Sequence, residues 1–122
     1  MGLRTLRPVS AIAVVALVLD LSACLGSPPA IGRHLPGSFS VASDAFDQRV
    51  KVRFPLGSDE ADLRAELARE RFVITQDKDS ALNFVARYHT NELVCASDWA
   101  IRWSRVDGNI ANIEASYKEV CL

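Results

Sequence analysis

The chain is short and almost electrically neutral: 122 residues carry 14 basic and 15 acidic side chains, a formal net charge of −1. This balance argues against nucleic acid as a partner, because nucleic-acid-binding domains concentrate basic charge. The length suits one small domain.

The first 20 residues carry a targeting pattern. Arg4 and Arg7 precede nine consecutive apolar residues at positions 11–19. That run is too short to span a bilayer, which needs about 20 residues. It suits the apolar region of a signal peptide.

Residues 21–24 read Leu-Ser-Ala-Cys, an aliphatic residue, two small residues and a cysteine. They resemble the lipobox of a bacterial lipoprotein precursor. The resemblance implies that the signal peptide, residues 1–23, is removed and that Cys24 receives lipid, including acyl chains such as palmitate. Leu25 stands where an aspartate would imply retention in the inner membrane. The resemblance therefore implies the periplasmic side of the outer membrane, or the cell membrane of a Gram-positive host; an ordinary secretory signal with a chance cysteine is the alternative.

The processed chain divides into a tether and a domain. Residues 24–40 begin with the lipidated cysteine and are rich in proline and glycine, which predicts a flexible tether. Residues 41–122 then form a single α+β domain. Without residues 1–23 the chain keeps 12 basic and 14 acidic side chains, so nucleic acid is still not expected as a partner. A core of this size is marginal without a covalent link.

The first half of the domain predicts a strand, a helix and two more strands. Residues 49–54 alternate between basic and apolar side chains, which predicts a half-buried strand with a basic outer row. That row is either a solvated face or a contact for an acidic partner. Ser58 suits a helix N-cap, and residues 61–71 predict the helix. Strands follow at residues 72–76 and 82–88, with a turn at 77–80 between them.

The last part of the chain predicts a hairpin of defined register. Asp107-Gly108-Asn109 is a turn signal between two strand-like runs. If Val106 pairs with Ile110, all cross-strand pairs have residue numbers that sum to 216, and a slip of one residue would mismatch them. The resulting apolar, oppositely charged and thiol pairs are Trp103–Ile113, Ile101–Ala115, Trp99–Tyr117, Arg102–Glu114, Asp98–Lys118 and Cys95–Cys121.

These elements predict an α+β fold in the order β-α-β-β-β-β, with one helix packed on a small, mainly antiparallel sheet. Cys95 and Cys121 are the two cysteines left after lipidation of Cys24. In an oxidising compartment they are expected to form a disulfide.

The sequence shows no motif for catalysis, a metal or a cofactor. His34 and His89 lie in separate elements, and no metal-binding cysteine pair accompanies them, so no metal site is predicted. The acidic residues at 59, 60 and 62 are interpreted as a solvated helix start rather than as a general acid–base pair. One aromatic group is a candidate binding patch, and the alternative is that it forms the sheet face beneath the helix. Its members are Trp99, Ile101, Trp103 and Tyr117.

Together these features predict a small, non-catalytic envelope lipoprotein that binds or scaffolds an envelope protein. The alternative is an inhibitor or immunity-type protein against a toxin or a wall-degrading enzyme, by analogy of size and location. An exposed acidic or aromatic patch that fits an enzyme cleft would favour the inhibitor. A concave pocket with convergent polar groups would favour ligand binding or catalysis.

Overall fold

The computed structural model describes residues 27–79 and 82–122. The predicted signal peptide and Cys24 lie outside these ranges. Two helices, α1 (Phe39–Arg53) and α2 (Glu60–Arg69), follow a 3-10 turn at Ala30–Gly32. Four strands come next and form an antiparallel sheet in the order β1-β2-β3-β4. The strands are β1 (Val73–Gln76), β2 (Phe84–Asn91), β3 (Cys95–Val106) and β4 (Asn109–Cys121).

The α+β class is therefore confirmed, but the predicted element order is wrong, because both helices precede all the strands. None of the helices in the described ranges is long and apolar enough to cross a membrane.

The predicted first strand, residues 49–54, is in fact the C-terminal end of α1 and its cap. Ala42, Phe46, Val50 and Phe54 recur at every fourth residue and all are buried, whereas Val52 is 80% exposed. A spacing of four residues places side chains on one face of a helix. The four-residue spacing over residues 42–54 therefore outweighs the two-residue alternation within residues 49–54, and the segment is helical.

The basic row assigned to that strand is used for contacts within the protein. Lys51 lies 2.7 Å from Asp47 one helical turn earlier. Arg53 contacts Glu66 of α2 at 3.1 Å, and Arg49 donates to backbone carbonyl groups that precede α1. The three basic side chains therefore take part in contacts within the protein, although those of Lys51 and Arg53 remain largely exposed.

The boundaries of α2 differ slightly from those predicted. Asp59, rather than Ser58, caps the helix, because its Oδ1 accepts a hydrogen bond from the backbone N–H of Ala61 at 2.9 Å. The helix ends at Arg69, and Arg71 takes a left-handed backbone conformation with φ of 66°. The predicted helix is thus confirmed in position and shortened at its end.

The predicted register of the last two strands is confirmed over most of their length. Residue numbers sum to 216 from the Cys95–Cys121 pair to the Ser104–Asn112 pair. The two cysteines are joined by a disulfide, and their Cα atoms lie 4.0 Å apart. Arg102 faces Glu114 as predicted.

The turn of this hairpin is tighter than predicted. Val106 pairs with Asn109, so the turn contains only Asp107 and Gly108. Their φ angles of 53° and 78° are the two left-handed conformations that a type I′ turn requires. Ala111 is then an extra residue between the paired positions on β4, a β-bulge that restores the predicted register beyond it.

The helices cover one face of the sheet, and α1 also closes its β4 edge. Asp47 accepts a hydrogen bond from the backbone N–H of Ala115 at 2.8 Å, and Ser43 accepts one from that of Tyr117 at 3.1 Å. Edge groups satisfied in this way cannot pair with another strand. The largest fully buried side chains of the core are Trp103, Phe46, Leu63, Leu67, Ile101, Ile110 and Val50.

Residues 27–38, which belong to the predicted tether, pack against the domain and are called here the docked segment. The Tyr88 hydroxyl donates to the Ser27 carbonyl at 2.8 Å. The Ile31 N–H donates to Glu70 at 2.8 Å, and the Ile31 carbonyl accepts from Arg49 at 3.0 Å. The packed part of the chain therefore begins before the predicted boundary at residue 41.

Candidate functional site

The structure divides the four residues of the candidate binding patch into two pairs. Ile101 and Trp103 are fully buried beneath the helices. Trp99 is nearly buried and Tyr117 is half-buried, and both reach a cleft at the surface. The patch is therefore mainly the sheet face under the helices, which was the alternative interpretation, and only Trp99 and Tyr117 contribute to a site.

The cleft has a volume of about 290 Å³ and lies between the docked segment, the start of α1 and the end of β4. Its apolar walls include Leu35, Pro36, Phe39, Trp99 and Tyr117, and its polar groups include His34, Ser38 and Glu119. Pockets for small molecules usually measure roughly 300–1,000 Å³. This cleft lies at the lower limit of that range, so its volume suits a small ligand or a single side chain of a partner protein.

A row of aromatic rings supports the wall of the cleft. The ring centroids of Trp99 and Tyr117 are 5.1 Å apart, those of Tyr88 and Trp99 are 5.7 Å apart, and those of Phe72 and Tyr88 are 5.6 Å apart. All three contacts are tilted or edge-to-face, the geometries that aromatic pairs favour. Because each ring is held by the next, the wall is pre-formed rather than assembled by a ligand.

One side of the cleft carries a short chain of polar groups. The Tyr117 hydroxyl donates to Glu119 at 3.2 Å and lies 3.4 Å from the Ser97 hydroxyl. Burial raises the pKa of the Tyr117 phenol, the hydrogen bond with Ser97 lowers it, and the charge of Glu119 raises it again, with a net rise. The phenol therefore stays protonated at neutral pH and can donate a hydrogen bond.

Cys95, Glu119 and Cys121 bring three potential metal-ligand atoms within 4.8 Å of one another. Both cysteines belong to the disulfide, so they offer no thiolate to a metal. The arrangement is a property of the disulfide at the strand ends and does not amount to a metal centre.

The contact between Gly32 and Trp99 fits the docked segment to the sheet. A Cβ atom added to Gly32 would lie only 2.5 Å from the indole nitrogen of Trp99. Within the part of the chain that the structure describes, this buried indole N–H has no hydrogen-bond partner. Glycine is therefore required at this position, where the sequence alone indicated only an ordinary linker glycine.

A second polar group, centred on Glu60, lies in the core at the start of α2. Trp103 Nε1 donates to Glu60 Oε2 at 2.9 Å, and Arg105 donates to Oε1 at 2.8 Å. The Nε atom of Arg64 lies 3.2 Å from the same Oε1, and its guanidinium lies 4.7 Å from the centre of the Phe84 ring.

The interpretation of Glu60 as part of a solvated helix start is wrong, because only 5% of this residue is exposed. Burial by itself would raise the pKa of Glu60, but the hydrogen bonds from Trp103 and Arg105 and the charge of Arg64 outweigh it and lower the pKa below the usual 4.5. An ionised carboxylate held by these hydrogen bonds from β3 serves to join α2 to β3. Its partners lie more than 40 residues away along the chain, except for Arg64, so no local pattern identifies it.

Sequence reasoning missed the half of the cleft that the docked segment provides, because proline and glycine dominate its composition. The apolar residues Ile31 and Leu35 were the available signal for a packed segment. Comparison with known proteins assigns no family: no family model, curated protein or solved structure matches the chain.

Proposed function

We propose that the protein is a lipid-anchored, non-catalytic binding module of the bacterial envelope, and that it holds an apolar or aromatic side chain of a partner protein in the cleft. The observation that carries this proposal is the combination of Phe39, which is 55% exposed, with the recessed rings of Trp99 and Tyr117. Exposed and recessed aromatic groups around one concave surface are typical of anchor sites in protein interfaces.

A side chain of a partner suits the cleft better than a free small molecule. Small-molecule sites usually enclose most of their ligand, whereas this cleft is open to solvent. A side chain presented by a protein gains further contacts at the rim, where Phe39 is exposed. The Tyr117 hydroxyl and the Glu119 carboxylate add directional groups that select the orientation of the partner.

The proposed location follows from the lipobox at residues 21–24 and from the disulfide. Lipidation of Cys24 would hold the domain on a membrane, and Leu25 favours the periplasmic side of the outer membrane. The Cys95–Cys121 bond supports a compartment outside the cytoplasm, since such bonds persist in oxidising surroundings. The inhibitor alternative called for an exposed aromatic or acidic patch, and the predicted aromatic patch is largely buried.

Site-specific photocrosslinking tests the binding site. A benzophenone amino acid replaces Phe39 at the rim of the cleft, and in a second variant it replaces Val52, which is exposed on the same helix outside the cleft. We expect one discrete adduct from position 39 in intact cells and a much weaker one from position 52. Equal adducts from both positions would place the partner elsewhere.

A blocking variant makes this test specific. Gly37 lines the cleft, and a Cβ atom added there meets nothing within 4 Å. Gly37→Phe should therefore fill the cleft without disturbing the core, and it should abolish the adduct from position 39, whereas Gly37→Ala should preserve it. An adduct that survives Gly37→Phe would contradict binding in the cleft.

The anchor is tested separately with Cys24→Ser. This variant should lose palmitate labelling and leave the membrane fraction, or remain as the uncleaved precursor. Equal incorporation of labelled palmitate into wild type and variant would refute the lipoprotein assignment and would leave the cleft proposal standing.

A further inference from the structure

A group of exposed apolar side chains lies at one end of the domain. Ten large hydrophobic residues are exposed in the described part of the chain, and four of them lie at the end of the sheet where the β2–β3 turn meets the end of β4. We call this group the apolar tip. Its members are Leu93, Val94, Val120 and Leu122. Leu93 and Leu122 are fully exposed. Contiguous exposed apolar residues mark contact sites on monomeric proteins.

Backbone connections bring the tip residues together. Leu93 and Val94 lie in the turn between β2 and β3, and the N–H of Leu122 donates to the Val94 carbonyl at 2.8 Å. Val94, Val120 and Leu122 occupy alternate positions of the two paired strands, so they lie together on the sheet face opposite Trp99 and Tyr117.

The chain leaves the domain towards Cys24 near this end. The Ser27 carbonyl is held by Tyr88, which is three residues, about 10 Å along the strand, from the end of β2, and the turn that carries Leu93 follows this end. Cys24 precedes Ser27 by three residues, which reach at most about 11 Å. A lipid on Cys24 can therefore enter a membrane that also touches the tip.

Glu92 and Glu119 flank the tip in the sequence, and anionic headgroups would repel both, so contact of the tip with a membrane would depend on its apolar side chains. Val and Leu side chains, in contrast, gain free energy when they leave water for the acyl boundary.

We propose that the apolar tip inserts into the interfacial region of the lipid bilayer beside the anchor and fixes the orientation of the domain. This inference rests on the proposed lipidation of Cys24. Two attachments, the lipid and the tip, would hold the hairpin upright, with the turn at Asp107 and Gly108 pointing away from the membrane. The cleft is lined by Glu119, which is adjacent to Val120 of the tip, so it would then lie near the bilayer surface, and the favoured partner is a protein that is itself close to the membrane.

A pair of tryptophan variants tests the insertion. Leu93→Trp places a reporter on the tip, and Val106→Trp places one on an exposed site at the opposite end of β3. Each full chain is produced in its bacterial host, purified with its lipid and reconstituted into phosphatidylcholine vesicles with or without brominated acyl chains. The buried Trp99 and Trp103 contribute the same background to both variants.

We expect the emission of Leu93→Trp to shift to shorter wavelength in vesicles and to lose intensity with brominated lipid, at low and at high salt alike. The emission of Val106→Trp should change in neither respect. If Leu93→Trp stays with the vesicles but is not quenched, the tip does not enter the bilayer although the anchor holds. A blue shift without quenching would mean that protein covers the tip, which also overturns the proposal. Release of both variants from the vesicles would refute the anchor and the insertion together.

Discussion

The buried carboxylate of Glu60 should contribute measurably to stability, and two substitutions separate its contributions. Glu60→Gln keeps an oxygen that can accept from the Trp103 indole but removes the charge. Glu60→Leu removes both and leaves the indole N–H buried without an acceptor. The pair therefore distinguishes the hydrogen bond in the core from the ionic contacts at its edge.

The ionic contacts of Glu60 are expected to make a modest contribution to the free energy of unfolding. The Arg64 side chain is about one-third exposed and that of Arg105 about half exposed, so solvent weakens both contacts with Glu60. We expect Glu60→Gln to lower the free energy of unfolding by about 1–2 kcal/mol. An unpaired buried N–H costs a further 1–3 kcal/mol or so, which places Glu60→Leu at about 2–5 kcal/mol. For a domain of this size, each kcal/mol corresponds to about 4–8 °C in Tm.

The effect of Glu60 should depend on pH in a defined direction. Its pKa in the folded protein lies below the value of 4.5 for an unperturbed carboxyl group. The carboxylate therefore stabilises the fold fully above pH 4.5, and this stabilisation is lost as the pH falls through the lower pKa of the folded state. The difference in unfolding free energy between wild type and Glu60→Gln should be constant near neutral pH and should shrink in more acidic solution.

Urea unfolding followed by tryptophan fluorescence at several pH values measures these quantities, provided that the slope with urea stays the same. Glu60→Gln as stable as wild type at pH 7 would refute the assigned ionic contribution. Equal losses for Gln and Leu would show that the indole hydrogen bond contributes little. A loss in Glu60→Gln that persists unchanged into acid would refute the lowered pKa.

Three further predictions concern the disulfide and two glycines. Reduction of Cys95–Cys121 should lower the free energy of unfolding by about 2–5 kcal/mol, and an unchanged Tm, or two alkylated thiols in the native protein by mass spectrometry, would contradict this. Gly108→Ala should destabilise by about 1 kcal/mol in urea unfolding, because φ is 78° there, and a neutral result would mean that the turn is not type I′. Gly32→Ala should lower Tm, since its Cβ atom would meet an indole at 2.5 Å, and Gly37→Ala, with open space around it, is the matched control that should keep the Tm of wild type.

The hairpin could be predicted because each of its positions carries information about one partner. Strand pairing links residues two by two, so apolar, charged and thiol pairs each report the same register. The error was confined to the turn, where the two-residue loop and the bulge at Ala111 compensate each other. A three-residue loop without a bulge would give the same pairs beyond Ser104, so the pairs alone do not distinguish the two arrangements.

The helix α1 could not be recognised from residues 49–54 because two periods overlap there. Within those six positions the alternation of Val50, Val52 and Phe54 is complete, and only the earlier Ala42 and Phe46 reveal the four-residue spacing. A window that begins at 42 would have shown the helical face.

The docked segment and Glu60 were missed for a different physical reason. Their contacts join positions far apart in the chain: 39 residues separate Ile31 from Glu70, and 61 separate Ser27 from Tyr88. The composition of a short segment indicates how flexible its backbone is. It does not indicate whether a residue far along the chain, such as Tyr88, donates a hydrogen bond to that segment. Proline and glycine in residues 27–38 therefore predict a tether even though the folded domain holds them.

The position of the disulfide connects stability with the proposed site. The hairpin is closed at one end by the type I′ turn, so strand fraying would begin at the opposite end, where β3 starts and β4 finishes. That end carries Tyr117 and Glu119 of the cleft and lies at the apolar tip. The Cys95–Cys121 bond is located where it prevents this fraying, so it should preserve the shape of the cleft as well as the fold. A site with a pre-formed wall loses less entropy on binding, which gives the bond a functional reason for its place in the sheet.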